Sequence, residues 1–124
     1  MGDRLKAFQE YRERMNERIF RQGNLAINRL FSLDTQMYRD GALPARTKEL
    51  MGLVASMVLR CDDCITYHLL RCTEQGVTDE ELFEAFGVAL IVGGSIVIPH
   101  LRRAVETLDE IRRDQPAPPP TMRG

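Results

Sequence analysis

The sequence is poor in the features that mark nucleic-acid-binding proteins. It has no Trp and only 5 Phe and 3 Tyr among 124 residues, too few aromatics for a platform that stacks single-stranded bases. Its 17 basic and 18 acidic residues leave a net charge of -1, whereas binding nucleic acid through bulk charge requires a basic excess. We therefore expect no nucleic-acid partner.

Long hydrophobic runs are also missing. The longest segment without Asp, Glu, Lys or Arg is residues 85–101, and three glycines, a proline and a histidine interrupt it. A membrane-spanning helix needs about 20 mostly apolar residues. The chain begins Met1-Gly2-Asp3-Arg4 without the apolar run of a secretory signal. These absences predict no membrane partner and a cytoplasmic location.

Cysteines are few and clustered. The three cysteines are Cys61, Cys64 and Cys72. A secreted disulfide scaffold spreads an even number of cysteines along its chain, whereas this odd group lies within a short segment. The cluster therefore favours a cytosolic redox or metal site. For Cys72 alone, the simplest interpretation is a small buried hydrophobic residue.

No segment shows the two-residue alternation of a half-buried strand, but helical spacing recurs. It predicts six helices, at about 3–21, 24–38, 44–59, 61–75, 78–92 and 95–113. Gly41 is expected to end the second helix. Gly76 is expected to end the fourth, and Thr78 with Glu81 forms a capping box that begins the fifth. The predicted fold class is all-α, a compact orthogonal bundle of about six helices.

We expect one helical domain over residues 1–113, with an N-terminal helical extension at 1–22. The Pro-rich segment 114–124 is expected to be a disordered tail. The third, fifth and sixth helices are so apolar that they should be buried on most sides. A chain of this size cannot hide that much apolar surface, so we predict a homo-oligomer.

The informative motif is Cys61-x-x-Cys64-x-x-x-His68. At about 100° per residue, the two thiols and the imidazole lie within roughly 60° of arc on one helix face. A thiolate at a helix start is stabilised by free N–H groups, which favours Cys61 as the reactive thiol. A base one turn away favours Cys64, which we choose. Four ligands on one helix could not surround a metal ion tetrahedrally, so we expect neither a metal nor another cofactor.

Glu49 strengthens this interpretation. It lies on a helix that is otherwise apolar, where a carboxylate is costly unless it is paired or functional. The alternative is an exposed residue in the first turns of that helix. His68 could likewise be a packed histidine with a satisfied hydrogen bond.

Glu49 followed by the Cys61–His68 motif resembles the AhpD-like branch of the carboxymuconolactone decarboxylase family, and the similarity covers roughly residues 30–108. The segments Leu43–Leu50 and Gly76–Leu82 agree with it. The resemblance implies a trimer or hexamer, and a thiol-dependent peroxidase or disulfide reductase. Its substrate would be a hydroperoxide, and its electron donor a thiol protein or a lipoyl-type dithiol.

The resemblance also implies the roles of the site residues. Cys64 corresponds to the attacking thiol and Cys61 to its disulfide partner, while His68 and Glu49 match the proton relay. Some members carry His just before the second cysteine, where this chain has Asp63.

Asp62 and Asp63 place two carboxylates beside the thiols, and these disfavour a thiolate. In the sequence only Arg60 offsets them nearby. A non-catalytic oligomeric binding module therefore stays open as an alternative. Its small-molecule pocket would lie among helices three, four and six, with His100 as a candidate lining residue. A metal-binding protein is a further alternative.

Overall fold

The computed structural model describes residues 2–115, which form six α-helices and no strand. The helices are α1 (Asp3–Arg21), α2 (Leu25–Met37), α3 (Ala45–Val58), α4 (Asp62–Glu74), α5 (Asp79–Gly93) and α6 (Ile98–Asp114), and a 3-10 turn (Ser95–Val97) joins the last two. The all-helical fold class is confirmed. Of the predicted tail, 116–124 lies outside the described residues.

The end of α2 agrees with the predicted range. Helix α2 ends at Met37 with Tyr38 as its C-cap, three residues before the Gly41 that was expected to stop it. The first turn of α3 holds the loop between them: the backbone N–H of Ala45 donates to Asp40 Oδ1 at 2.7 Å, and Lys48 donates to the carbonyl of Arg39 at 2.7 Å. These contacts satisfy the loop backbone without a continued helix.

The turn between α4 and α5 agrees with the prediction. Gly76 has φ of +76°, and its N–H donates to the carbonyl of Thr73, which is the glycine-capped helix end expected there. Thr78 and Glu81 form the reciprocal capping box. Arg46 on α3 also binds Glu81, and this hydrogen bond is the largest reason that the pKa of Glu81 falls to about 2. The contact between Arg46 and Glu81 thus links the start of α5 to α3.

The core lies around α3, which packs against α4 and α5, while α6 packs against α4 and receives α1 on another side. Helix α1 is anchored at its start, where Leu5 is buried, its N–H donates to Glu110 at 3.4 Å, and Arg4 pairs with the same carboxylate. The buried apolar side chains are Leu5, Leu53, Met57, Ile65, Leu69, Leu70, Cys72, Val77, Leu82, Phe86, Ala89, Val97, Ala104, Leu108 and Ile111.

Much apolar surface stays exposed in the single chain. Helix α2 has no buried residue, and Ile91 on α5 is 87% exposed. Helix α6 exposes charged residues such as Arg102 and Asp109, since it is amphipathic. One chain alone therefore does not bury helices three, five and six on most sides, and their burial by further copies stays a prediction. No helix within residues 2–115 combines the length and apolar content needed to cross a bilayer.

Candidate active site

The corner between α3 and α4 places the first cysteine. Arg60 has φ of +60°, the left-handed region that a non-glycine residue enters at a cost of about 1 kcal/mol. The N–H groups of Arg60 and Cys61 donate to the carbonyls of Met57 and Ser56, both at 3.0 Å. These two hydrogen bonds end α3. Cys61 is then the residue that caps α4.

The two cysteines of the motif are joined by a disulfide across the first turn of α4, with Cα atoms 5.3 Å apart. The N–H of Cys64 also donates to Cys61 Sγ at 3.3 Å. Cys64 is exposed, whereas Cys61 is half-buried. The helix start that the sequence predicted thus carries a redox-capable pair in which Cys64 is the more exposed residue.

The structure brings Glu49 to His68 from the neighbouring helix. Glu49 is only 1% exposed, and its Oε2 lies 2.9 Å from His68 Nδ1. Arg71 Nε lies 3.5 Å from the other carboxylate oxygen. Glu49 is therefore not the exposed residue of the alternative interpretation. A carboxylate at this position accepts from Nδ1–H, and the tautomer with its proton on Nδ1 has a free lone pair on Nε2.

Two residues that the sequence analysis missed position this imidazole. A Cβ atom at Gly52 would lie 2.6 Å from His68 Cε1 and 2.8 Å from both His68 Nε2 and the Tyr38 hydroxyl. The Tyr38 ring packs against the imidazole with centroids 5.4 Å apart. Burial, and then the negative charges of Asp34 and Glu49, raise the pKa of Tyr38. A glycine inside a helix costs about 1 kcal/mol relative to alanine. This unfavourable residue in the middle of a predicted helix is the feature of the sequence that could have pointed to Gly52.

Cys64 and His68 open into the same pocket of about 350 Å³, which lies among α1, α2 and α4. The Arg12 guanidinium stacks on Tyr67 in its wall, 4.1 Å from the ring centroid. The pocket is lined by Phe8, Tyr11, Arg12, Met15, Asn16, Asp34, Asp63, Cys64, Tyr67 and His68. This cavity differs from the pocket expected for the binding module, which was placed among helices three, four and six.

The two aspartates next to the cysteines have different environments. Asp62 binds two residues of α6, with His100 Nδ1 at 2.7 Å and Arg103 Nε at 3.0 Å. Asp63 is exposed at the pocket. The expectation that only Arg60 offsets these carboxylates is wrong, because Arg103 reaches Asp62 from a distant part of the sequence. His100 is a partner of Asp62, and it does not line the pocket at the cysteines.

The third cysteine is separate from the pair. Cys72 is fully buried in the core. Burial, followed by the charge of Glu49, raises its pKa to about 12, so it stays a neutral thiol at ordinary pH. Within residues 2–115, no three His, Cys, Asp or Glu side chains are arranged to hold a metal ion.

Comparison with known proteins shows the family and the fold of the chain. Residues 24–107 match the model of the carboxymuconolactone decarboxylase family. A Thermotoga maritima protein, suggested to take part in the antioxidative response, has two similar crystal structures. One is 59% identical over 89% of this chain and 96% of its own, with a TM-score of 0.86. The other is 61% identical over 86% and 91%, with a TM-score of 0.83.

More distant relatives match over much of their length. A family protein from Legionella pneumophila is 25% identical over 88% of this chain and 97% of its own, with a TM-score of 0.80. An uncharacterised protein from the cox locus of Paracoccus denitrificans is 32% identical over 73% of this chain and 82% of its own. The chain therefore belongs to the carboxymuconolactone decarboxylase family.

Proposed function

We propose that this protein is a thiol-dependent peroxidase or disulfide reductase that uses Cys61 and Cys64 as its redox pair. One observation carries the proposal: an accessible Cys64, bonded to Cys61, shares a pocket with a histidine that a buried carboxylate holds. A base held by a third group beside a nucleophile is the arrangement that activates a thiol. The antioxidative role suggested for the Thermotoga maritima relative agrees with it.

The reaction begins with the pair reduced. His68 Nε2 accepts the proton of Cys64, and the thiolate attacks the outer oxygen of a hydroperoxide. The O–O bond breaks, the alcohol leaves with a proton, and Cys64 becomes a sulfenic acid. The Cys61 sulfur then attacks Cys64, which forms the disulfide and releases water. Glu49 stabilises the imidazolium while it holds the proton.

The cycle closes when an external dithiol reduces the disulfide by thiol–disulfide exchange. The two electrons come from that dithiol, a thiol protein or a lipoyl-type group, which leaves as a disulfide. The overall reaction converts a hydroperoxide and a dithiol into an alcohol, water and a disulfide. When a partner disulfide replaces the hydroperoxide, the same Cys64 thiolate attacks sulfur and the same pair is oxidised.

Exposure favours Cys64 as the attacking thiol. Cys64 lines the pocket, whereas Cys61 is half-buried and caps α4. The helix start stabilises a thiolate at either sulfur, but only Cys64 opens toward both the substrate space and His68. Cys61 is then placed to resolve the intermediate.

The test is a thiol count on the reduced protein before and after one equivalent of an alkyl hydroperoxide, with the disulfide mapped by mass spectrometry. We expect two thiols to disappear together, a Cys61–Cys64 bond to form, and dithiothreitol or dihydrolipoamide to restore both thiols with continued turnover. Slow loss of thiols at the rate of free cysteine, with no turnover for any dithiol, would refute the proposal. That result would favour the non-catalytic binding module.

The exposed apolar surfaces support a homo-oligomer as the working form. Helix α2 exposes Leu30 and Leu33, and an open apolar groove of about 720 Å³ runs between α3 and α5 past Val88. A 13-residue helix without buried residues is too short to be stable in water by itself. We propose that second copies of the chain cover both surfaces, as a trimer or a hexamer.

Light scattering at micromolar concentration should give a multiple of 14.2 kDa. Leu33→Glu and Val88→Glu should each lower that mass, because each buries a charge in an apolar interface. Gln36→Glu adds the same charge to the exposed polar part of α2 and should leave the mass unchanged. A wild-type mass near that of one chain would contradict the oligomer.

A further inference from the structure

We infer that His100 and Arg103 are positioning residues that tune the Cys61–Cys64 pair through Asp62. The inference rests on the proposed redox role of that pair and adds a control element on α6. Asp62 follows Cys61 directly and is the first residue of α4. Along the chain, its side chain is one residue from Cys61 and two residues from Cys64, the two halves of the disulfide.

Both carboxylate oxygens of Asp62 are engaged by α6. Oδ1 lies 2.7 Å from His100 Nδ1, and Oδ2 accepts from Arg103 Nε at 3.0 Å. Arg103 Nη2 also lies 3.3 Å from His100 Nδ1, so the three side chains form one cluster. Both contacts join side chains only, while at the backbone the N–H of Cys64 donates to Cys61 Sγ.

The electrostatic consequence follows from the signs of the charges. A carboxylate beside a cysteine disfavours its thiolate, and a paired guanidinium cancels most of that effect. Stabilising the thiolate stabilises the reduced pair and makes the disulfide a stronger oxidant. Arg103 therefore keeps the pair more oxidising and Cys64 more reactive than the two neighbouring aspartates alone would allow.

The cluster also restrains geometry. Cys61 lies between Arg60, which has a left-handed backbone, and Asp62, which is tied to α6. His100 is only 16% exposed, whereas Asp62 and Arg103 are about half exposed. The imidazole is thus the fixed part of the cluster, and it holds the carboxylate where Arg103 can reach it.

Two substitutions with opposite charge effects test this inference. Arg103→Gln leaves an uncompensated Asp62, so the disulfide should become harder to reduce and Cys64 should alkylate more slowly. Asp62→Asn leaves an uncompensated Arg103, so both quantities should move the other way. Each change should be about 3- to 10-fold in the equilibrium with glutathione, as expected when one unit charge is left unpaired near a surface. The double variant should return close to wild type.

Matched controls separate charge from structure. Arg102→Gln removes the neighbouring exposed arginine of α6 and should change neither quantity. His100→Asn keeps a donor near the Nδ1 position and should resemble wild type. His100→Leu should shift the equilibrium in the direction of Arg103→Gln, but less.

The outcomes distinguish this inference from the proposed function. The readouts are the disulfide equilibrium and the alkylation rate at fixed pH, and neither requires peroxide. Shifts of the same sign in Asp62→Asn and Arg103→Gln, or shifts no larger than that of Arg102→Gln, would overturn the inference and leave the peroxidase proposal intact. Opposite shifts without peroxide turnover would support the inference while the peroxidase proposal fails.

Discussion

Cys64→Ser is expected to reduce thiol-dependent peroxide turnover to background, the largest effect that any single substitution should have. A serine hydroxyl at this position is almost fully protonated near neutral pH, and no sulfur is left to attack the O–O bond. Peroxide consumption coupled to oxidation of a dithiol measures the effect directly.

Cys61→Ser should behave differently. Cys64 can still attack one equivalent of peroxide, but without Cys61 the sulfenic acid has no internal partner. We expect one rapid turnover followed by slow cycling, and a sulfenic acid on Cys64 that a dimedone-type reagent traps. Equal behaviour of the two serine variants would contradict the assigned roles.

The third cysteine supplies the control. Cys72 is buried and its raised pKa keeps it neutral, so Cys72→Ala should retain turnover at the level its residual folding allows. Alkylation of the reduced wild-type protein should label Cys64 before Cys61, because Cys64 is the exposed sulfur. Faster labelling of Cys61 would mean that the helix-start effect outweighs exposure and proximity to His68.

Local signals explain why most of the fold was predictable. The helix ends at Gly76 and Thr78 follow from backbone conformation and capping within a few residues. Glu49 was found because a carboxylate in an apolar helix is costly, and the structure pairs it with His68. In both cases the residue type would be unfavourable in an ordinary helix interior, and its position in the sequence therefore indicates a special role.

The missing parts of the site come from long-range packing. Tyr38, at the end of α2, contacts His68 on α4, and Arg103 pairs with Asp62 across 41 positions of sequence. The wall that Arg12 contributes to the pocket depends on how α1 lies over α4. Such contacts are set by the arrangement of helices and leave no periodic or compositional trace along the chain.

Gly52→Ala is expected to destabilise the protein and impair turnover, although alanine normally improves a helix interior. The new methyl group would lie 2.6 Å from His68 Cε1, well inside contact distance. The imidazole cannot step aside cheaply, because Glu49 binds its Nδ1 and the Tyr67 ring packs on it with centroids 5.2 Å apart.

Two quantities should change together in this variant. Overpacking should cost about 1–3 kcal/mol of unfolding free energy, measured by denaturant titration. Displacing the base by about 1 Å from the nucleophile should cost about 100-fold in turnover, even at temperatures where the variant is fully folded. The loss of turnover should therefore exceed what the unfolded fraction explains.

Gly87→Ala is the matched control. Gly87 also lies inside a helix, but nothing stands within 4 Å of the position that its Cβ would take. The Gly87→Ala variant should gain up to about 1 kcal/mol of unfolding free energy from helix propensity, and it should keep full turnover. If Gly52→Ala behaves like Gly87→Ala, the imidazole is free to move, and the rigid Glu49–His68 pair cannot be what positions the base beside Cys64.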